Sequence, residues 1–327
     1  MCHVCGRLAP SPTGYIHLGN AWAFLVAWLA ARSNQGQVIL RLEDIDPARS
    51  RKEYQYGILR DLEWLGLDWD QGPDRDGAYG PYLQSERSER YIAAIEQLHC
   101  KGLIYPCFCT RKELRLLASA PHGPDEAGES VYPGTCRDLS DEKITQRLVA
   151  GQKACLRFRA PEAPLAFIDL IAGTYPKTKN LLRDDVALRR SDGVFSYHLA
   201  VVVDDATMGI TQVVRGNDLL HCTPGQIQLF KALGMTAPVY AHIPLLCDEQ
   251  GDRLAKRHAS LEIRKLRAAG VRSQVVIGYL AWLGGLISRF EPLPAIDIVK
   301  KFSFSAIYNK QIHICAQDIE KILKLSN

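Results

Sequence analysis

The sequence lacks a long apolar run. Its most apolar stretch, residues 21–31, is too short to cross a bilayer, and the N-terminus shows no apolar segment after a basic start of the kind found in signal peptides. Internal repeats and long low-complexity tracts are missing as well. These absences argue against a membrane protein, and we expect a cytoplasmic, globular chain with no membrane partner.

A strong excess of one charge is missing too. The 327 residues include 40 Lys or Arg and 36 Asp or Glu, and the resulting net charge of +4 does not by itself call for a nucleic-acid partner. The charge is nevertheless uneven, because residues 253–272 hold seven Lys or Arg against one Glu. Such a run is either a solvated helix face or a surface that contacts phosphates.

Cysteine is frequent, with ten residues in the chain. In a cytoplasmic protein this number favours metal ligands and buried thiols over a disulfide framework. Cys107 and Cys109 stand one residue apart, and Tyr132 and Cys136 follow after a loop rich in glycine, proline and glutamate. Three thiolates and one further donor would suit a tetrahedral zinc site, but the spacing alone leaves scattered buried cysteines as an open alternative.

The Gly-x4-Gly-Lys-Ser/Thr loop that holds a triphosphate is also absent. A different anion site is indicated by residues 9–20, APSPTGYIHLGN, where prolines and a glycine stiffen a turn between a short strand (4–9) and an apolar helix. The first N–H groups of that helix lack partners within it, so an anion is favoured beside His17. The cationic segment GDRLAKRH (251–258) is a weak signal alone, but it would complete a site for nucleotide phosphates.

The order of the segments predicts an α/β fold. We expect residues 37–43 to form a second strand parallel to the first, and residues 51–65 to form a helix. Short strand-like runs and the paired cysteines indicate an insertion over 100–183. Residues 195–205 are predicted to return to the sheet as a fully buried strand, and the chain after about Thr236 is predicted to be mostly helical.

Several of these segments resemble the class I aminoacyl-tRNA synthetases. APSPTGYIHLGN is similar to the HIGH motif of that family, and RLAKR (253–257) is similar to its KMSKS loop. Arg7 ahead of the turn, LRLEDIDPAR (40–49) and the stretch 184–220 resemble the glutamyl enzymes in particular. The motifs occur in the family's order and extend over about residues 8–261.

The resemblance implies a fold and a division of the chain. A Rossmann-like parallel-sheet catalytic domain would occupy residues 1–99 and 184–235, with an inserted zinc-binding, acceptor-type module at 100–183. Residues 236–327 would carry the KMSKS-like loop and a helical segment similar to a stem-contact region. The family pattern places the ligands of one structural Zn²⁺ at Cys107, Cys109, Tyr132 and Cys136.

The resemblance also implies a reaction. The α-carboxylate of L-glutamate would attack the α-phosphate of ATP, which carries Mg²⁺, and pyrophosphate would leave. The residues implied as catalytic are His17 and Lys256. ATP binding is implied for His17, Gly19, Asn20 and Lys256, and glutamate binding for Arg7, Ala9, Ser11, Glu43, Tyr197 and Arg215.

The chain departs from full-length glutamyl-tRNA synthetases at three points. The HIGH-like motif ends in Asn20, Ala255 replaces the serine of the KMSKS loop, and only about seventy residues follow Lys256, so we expect the anticodon-binding domain to be missing. These departures resemble a truncated group of paralogues that activate glutamate without tRNA and attach it to queuosine in the anticodon loop of tRNA(Asp). We expect a monomer with this activity.

Three alternatives remain open from the sequence. One is a minimal synthetase that charges the acceptor end of tRNA(Glu). The second is a non-catalytic RNA-binding paralogue, although that reading gives no physical reason to keep His17, Arg7 and Glu43 together. The third is a small-molecule nucleotidyltransferase on the same fold, which leaves the glutamate-matching residues without a purpose.

Overall fold

A computed structural model describes residues 4–110, 112–114, 132–161, 165–175, 185–249, 251, 262–315 and 322. The strands are β1 Cys5–Leu8, β2 Gln37–Leu40, β3 Ile104–Cys107, β4 Cys155–Phe158, β5 Phe167–Asp169, β6 Gly173–Tyr175, β7 Ala187–Arg189, β8 Gln212–Gly216, β9 Val239–Ile243, β10 Leu246–Cys247 and β11 Ile312–His313. The α-helices are α1 Leu18–Arg32, α2 Lys52–Leu65, α3 Ser88–Cys100, α4 Asp141–Val149, α5 Tyr197–Thr207, α6 Thr223–Ala232, α7 Ile263–Ala268, α8 Ser273–Leu283 and α9 Ala295–Val299. Short 3₁₀ helices span Gln84–Glu86, Asn217–Cys222 and Phe304–Ala306. No helix in this described part of the chain combines the length and the apolar character needed to cross a membrane.

The fold starts with a β1–α1–β2 unit, as the sequence predicts. The two strands are parallel, with Cys5 opposite Gln37, and the apolar helix α1 connects them. The turn after α1 needs glycine, because a Cβ on Gly36 would lie only 2.4 Å from the carbonyl oxygen of Val4. The helix predicted over 51–65 is also present, as α2.

A second group of parallel strands continues this arrangement. β5 and β8 both pair in parallel with β9, and β6 adds an antiparallel edge. β1 lies beside β8, because the N–H of Thr211 donates to the carbonyl of Cys5 (2.9 Å) and Arg7 reaches the carbonyl of Val214 (3.1 Å). The contacts advance in the same direction along both strands, so the carboxyl ends of β1, β2, β8 and β9 meet at one edge, where ligands bind in open α/β sheets.

Two predictions of secondary structure are wrong. Residues 195–205 do not form a buried strand, because α5 begins at Tyr197, where Ser196 caps its first turn by accepting a hydrogen bond from the N–H of Leu199 (3.3 Å). Five consecutive residues of α5, Leu199–Val203, are buried, so the run shows no helical periodicity. The segment after Thr236 begins with strands β9 and β10 rather than with helix.

The region predicted as an insertion (100–183) contributes β3 and β4 to an antiparallel sheet in the order β3–β4–β7. Strand pairing crosses the boundary expected at residues 183 and 184, since β7 pairs with β4 inside the region and β5 pairs with β9 outside it. The four-part division of the chain therefore stays a prediction. The pairing of β5 with β9 joins the region predicted as an insertion to the parallel strands.

Candidate active site

A cleft of about 620 Å³ opens at the carboxyl edge of the parallel strands. Its walls come from the segments that follow β1, β2, β8 and β9 and from the first residues of α1 and α5. Of the ten residues to which the resemblance assigns a role in ATP or glutamate binding, nine line this one cleft: Arg7, Ala9, Ser11, His17, Gly19, Asn20, Glu43, Tyr197 and Arg215.

The first turn of α1 forms one end of the cleft. His17 is the N-cap residue, and its Nδ1 accepts a hydrogen bond from the N–H of Gly19 (3.1 Å), while Oδ1 of Asn20 accepts one from the N–H of His17 (3.4 Å). Since Nδ1 is an acceptor, the proton of a neutral His17 ring is on Nε2, which can donate to an anion. The first turn carries no acidic residue, so the positive end of this 15-residue helix remains available to a phosphate.

Lys256 lies outside the described residues, as does the rest of the KMSKS-like segment from 252 to 261. The described residue that follows this segment, Glu262, forms an antiparallel bridge with His17, and the N–H of Ile263 donates to the carbonyl of Ile16 (2.8 Å). The chain therefore leaves the segment directly beside the helix N-terminus. Lys256 is six residues before Glu262 in the sequence, and six residues of extended chain span about 20 Å.

The cleft is also lined by two buried arginines. Arg7 donates from Nη1 to the carbonyl of Val214, and its Nε lies 3.5 Å from a carboxylate oxygen of Asp205. Arg215 donates from Nη1 to the hydroxyl of Tyr197 (3.3 Å). Two fixed guanidinium groups beside a tyrosine hydroxyl suit a carboxylate ligand.

Glu43 enters the same part of the cleft just after β2. It accepts a hydrogen bond from Nη2 of Arg41 (3.1 Å), and Arg41 in turn donates from Nη1 to Asp205 (2.7 Å). Burial raises the pKa of Glu43 above its ordinary value of 4.5, against the opposing effect of Arg41 and Arg7. Glu43 thus offers a carboxylate whose surroundings favour an added positive charge, such as an ammonium group.

Several buried residues behind the cleft are not among the site residues predicted from the sequence. Arg41, Asp205, Thr223 and His242 form hydrogen bonds or ion pairs with cleft residues, and Asp169 bonds to His242. Asp204 and Asp205 have structural partners, because Asp204 accepts a hydrogen bond from Arg87 (2.6 Å) and Asp205 accepts one from Arg41 (2.7 Å). Asp169 and His242 each stand alone in an apolar stretch, so only the folded chain reveals their partners.

The sequence-predicted metal ligands also meet in space. One sulfur atom from each of Cys107, Cys109 and Cys136 lies within 4.8 Å of the other two. The hydroxyl of Tyr132 lies 3.4 Å from the sulfur of Cys107 and accepts from the N–H of Cys136 (2.7 Å). Cys155, which spacing did not suggest, lies opposite Cys107 on β4, and its hydrogen bond lowers the pKa of the Cys107 thiol to about 4 against the effect of burial.

The basic run at 253–272 is described from residue 262 onward. There Arg264 pairs with Glu262 (2.7 Å), and Arg267 pairs with Asp61 of α2 (3.0 Å). Both arginines thus interact with acids of the protein itself. In this part of the run the interpretation as a structural, solvated face has direct support.

A parallel α/β fold in which a capped helix N-terminus and two buried arginines line one cleft is the arrangement expected of a class I synthetase. The catalytic-domain model for class I tRNA synthetases (E and Q) matches residues 3–320, and the chain belongs to this family. A protein named glutamyl-Q tRNA(Asp) synthetase from Nitratidesulfovibrio vulgaris is 53% identical over 319 residues, covering 98% of both chains.

Glutamyl-tRNA synthetases are also similar to this chain. A glutamate–tRNA ligase from Sulfurihydrogenibium is 42% identical, with 90% of this chain and 62% of the relative covered. The crystal structure of a glutamate tRNA ligase from Elizabethkingia meningosepticum, in complex with its amino acid, matches with a TM-score of 0.80 and 28% identity, covering 98% of this chain and 68% of that one. The chain therefore shares both sequence and fold with enzymes whose amino acid is glutamate.

Proposed function

We propose that this chain activates L-glutamate with ATP in the absence of RNA and transfers the glutamyl group to queuosine at the wobble position of tRNA(Asp). One observation carries the proposal: a single cleft joins an anion-binding helix N-terminus to two buried arginines and a buried carboxylate. The first feature suits the phosphates of ATP, and the others suit an amino acid with a second carboxylate.

Activation requires position and charge more than covalent chemistry. The glutamate α-carboxylate attacks the α-phosphate in line, a glutamyl-adenylate forms, and pyrophosphate leaves. His17 and the first N–H groups of α1 stabilise the phosphates, and Lys256 neutralises the departing pyrophosphate. Magnesium enters with ATP and supplies further neutralisation of its phosphates.

Five residues bind the glutamate. Arg7 and Arg215 bind the side-chain carboxylate with help from Ser11, and this pairing of charges discriminates against glutamine. The ammonium group is held by Glu43 and by the hydroxyl of Tyr197. The α-carboxylate then points toward the helix end of the cleft, where the nucleotide lies.

The RNA partner is proposed from the relatives. Identity is higher with the glutamyl-Q tRNA(Asp) synthetase (53%) than with the glutamate–tRNA ligase (42%), and the former alignment spans nearly all of both chains. The acceptor is accordingly the queuosine base in the anticodon loop of tRNA(Asp), bound by a monomer. Charging of tRNA(Glu) is the second candidate, favoured by the 42% identity with an enzyme of that name.

The cysteine cluster suits one structural Zn²⁺. Tetrahedral zinc with bonds of about 2.3 Å holds its sulfur ligands roughly 3.8 Å apart, and the sulfurs of Cys109 and Cys136 already lie 3.7 Å apart. The ligand set is Cys107, Cys109, Tyr132 and Cys136. Zinc bound there would tie β3 to the segment at 132–136 and compensate the charge of the thiolates.

The activation step is tested by ATP–pyrophosphate exchange. Wild-type protein should support exchange with L-glutamate in the complete absence of RNA, and glutamine should support it poorly. Lys256→Ala should lower the exchange rate sharply with little effect on the fold, as monitored by circular dichroism. No exchange with glutamate under any RNA condition would refute an activating enzyme, and an unchanged rate in Lys256→Ala would refute the role of that lysine.

A further inference from the structure

Arg215 is held by neutral groups rather than by an acid. Its Nε donates to Nε2 of His242 (3.0 Å), and its Nη2 donates to the hydroxyl of Thr223 (2.8 Å) and, more weakly, to the carbonyl of Leu219 (3.4 Å). Among the ion pairs of the described residues none includes Arg215, although this side chain is only 5% exposed. Its positive charge is therefore buried without a carboxylate in direct contact.

The contact between Arg215 and His242 fixes the protonation of the histidine. Arginine Nε can only donate, so Nε2 of His242 must accept and the single ring proton must be on Nδ1. That proton points to Asp169, whose Oδ2 lies 2.6 Å from Nδ1. A protonated His242 would direct a second N–H at the guanidinium, which makes the neutral tautomer the one that fits.

Asp169 is built to keep this tautomer. Its carboxylate also accepts hydrogen bonds from the backbone N–H groups of Ile171, Ala172 and His242. Despite burial, these bonds lower the pKa of Asp169 below its ordinary value, while burial lowers the pKa of His242. The chain thus combines an ionised Asp169 with a neutral His242, both fully buried.

We propose that His242, oriented by Asp169 and assisted by Thr223, is a positioning residue that holds Arg215 with its Nη1 edge toward the cleft. Two of the three guanidinium nitrogens are fixed from behind, and the third lies beside Tyr197, a cleft residue. Because the imidazole is neutral, it fixes the geometry without neutralising the charge. The inference rests on the proposed function, in which Arg215 binds the side-chain carboxylate of glutamate.

A matched pair of substitutions separates positioning from simple packing. The amide of glutamine reaches the place of the histidine Nε2, so His242→Gln keeps an acceptor for Arg215. The shorter asparagine reaches only the place of Nδ1, so His242→Asn keeps a donor to Asp169 but removes the acceptor for Nε of Arg215. Thr223→Val removes the acceptor of Nη2 while preserving the shape of a fully buried side chain.

The measurement is steady-state ATP–pyrophosphate exchange with separate KM values for glutamate and ATP. We expect His242→Asn to raise the glutamate KM about tenfold to a hundredfold, as expected for losing a hydrogen bond to a charged group, while the ATP KM changes less than about twofold. His242→Gln should recover most of this loss, and Thr223→Val should raise the glutamate KM severalfold.

Three results overturn the inference. The first is an equal rise of the glutamate KM in His242→Gln and His242→Asn, and the second is a parallel rise of the ATP KM. The third is an unchanged glutamate KM in Thr223→Val. This third result decides the matter if the histidine variants fail to fold. Failure of the proposed function is recognised separately, because wild-type protein would then show no glutamate-dependent exchange at all.

Discussion

At the scale of single residues, the cleft holds its charges in different ways. The charge of Arg7 is shared with Asp205, which also receives a hydrogen bond from Arg41, whereas Arg215 is held by His242 and Thr223. A carboxylate ligand therefore meets one partly compensated cation and one uncompensated cation. The second provides the stronger attraction for an incoming negative charge.

Glu43 gives this arrangement a pH dependence. Its raised pKa means that the carboxylate becomes protonated, and loses its attraction for an ammonium group, at a higher pH than an exposed glutamate would. We predict that kcat/KM for glutamate falls as the pH is lowered through this pKa. Glu43→Gln should lower kcat/KM about a hundredfold near neutral pH and remove this acidic limb.

The control for Glu43 is a nearby acid outside the cleft lining. Asp46→Asn breaks an ion pair with Arg190 (2.9 Å) and should leave the pH profile of glutamate activation in place. The profile is measured by ATP–pyrophosphate exchange between about pH 5 and 8, the range in which a raised carboxylate pKa is visible. If the pH profile of Glu43→Gln keeps the same acidic limb, a group other than Glu43 causes that limb and the prediction is wrong.

The cysteine cluster yields a second prediction at this scale. Cys109→Ser should abolish binding of one zinc equivalent, measured by elemental analysis after dialysis, because it removes a proposed ligand. Cys155→Ser is the matched control: this thiol lies beside Cys107 but outside the proposed ligand set, so zinc should be retained. Loss of zinc in Cys155→Ser alone would mean that Cys155 is a zinc ligand in place of one of the proposed residues.

Only part of the residue-level site is visible in the sequence. Arg7, Glu43 and Arg215 are found because they fall at positions of a family pattern. His242 and Asp169 are found only in the structure, since they are separated by 73 residues and each stands alone among apolar neighbours. A lone histidine in an apolar stretch of sequence is more often a hydrogen-bonded core residue than a site residue, and spacing does not identify its partner.

At the scale of elements, the helices α1 and α5 differ in how well the sequence predicts them. Both are helices with apolar runs, but α1 has a stiff turn and a capping histidine before it, so its type and its start are predictable. The run of valines in α5 favours a strand, and its burial hides the helical period. Ser196 is the one local signal for a helix start, and tertiary packing of α5 against α3 and α6 overrides the preference of the valines.

The contact between α2 and α7 yields a prediction about stability. Asp61 is fully buried on α2 and pairs with Arg267 of α7, and burial raises its pKa from 3.8 to about 6. The folded state therefore binds the proton more tightly than the unfolded state, so the contribution of Asp61 to stability is lost as pH rises from about 4 to about 6.

Asp61→Asn removes this loss, because the amide carries no charge. We expect the free energy of unfolding near pH 7.5 to increase by about 1 to 3 kcal/mol over wild type, with a gain about 1 kcal/mol smaller at pH 5. Urea unfolding at both pH values provides the test. Equal destabilisation at both would mean that the ion pair with Arg267 outweighs the cost of burying the charge.

At the scale of the whole molecule, the fold explains why distant motifs act together. Parallel strands β1, β2, β8 and β9 end at one edge, and this places residues near positions 10, 43, 216 and 244 around a single cleft. Strands β8 and β9 lie in segments for which the sequence predicts no strand, but the α/β class and the β1–α1–β2 unit follow from the sequence pattern. The sequence pattern does not predict the pairing of β5 with β9, because a strand of three residues in a loop-rich region is too short to indicate its partner.

The measurement that most directly tests the central claim is transfer of labelled glutamate to RNA. Protein, ATP and labelled L-glutamate are incubated with tRNA(Asp) that contains queuosine, with tRNA(Asp) that lacks it, and with tRNA(Glu). The proposed function predicts label on the queuosine-containing tRNA(Asp) alone. Label on tRNA(Glu) instead, or on both forms of tRNA(Asp) equally, would contradict the proposed acceptor.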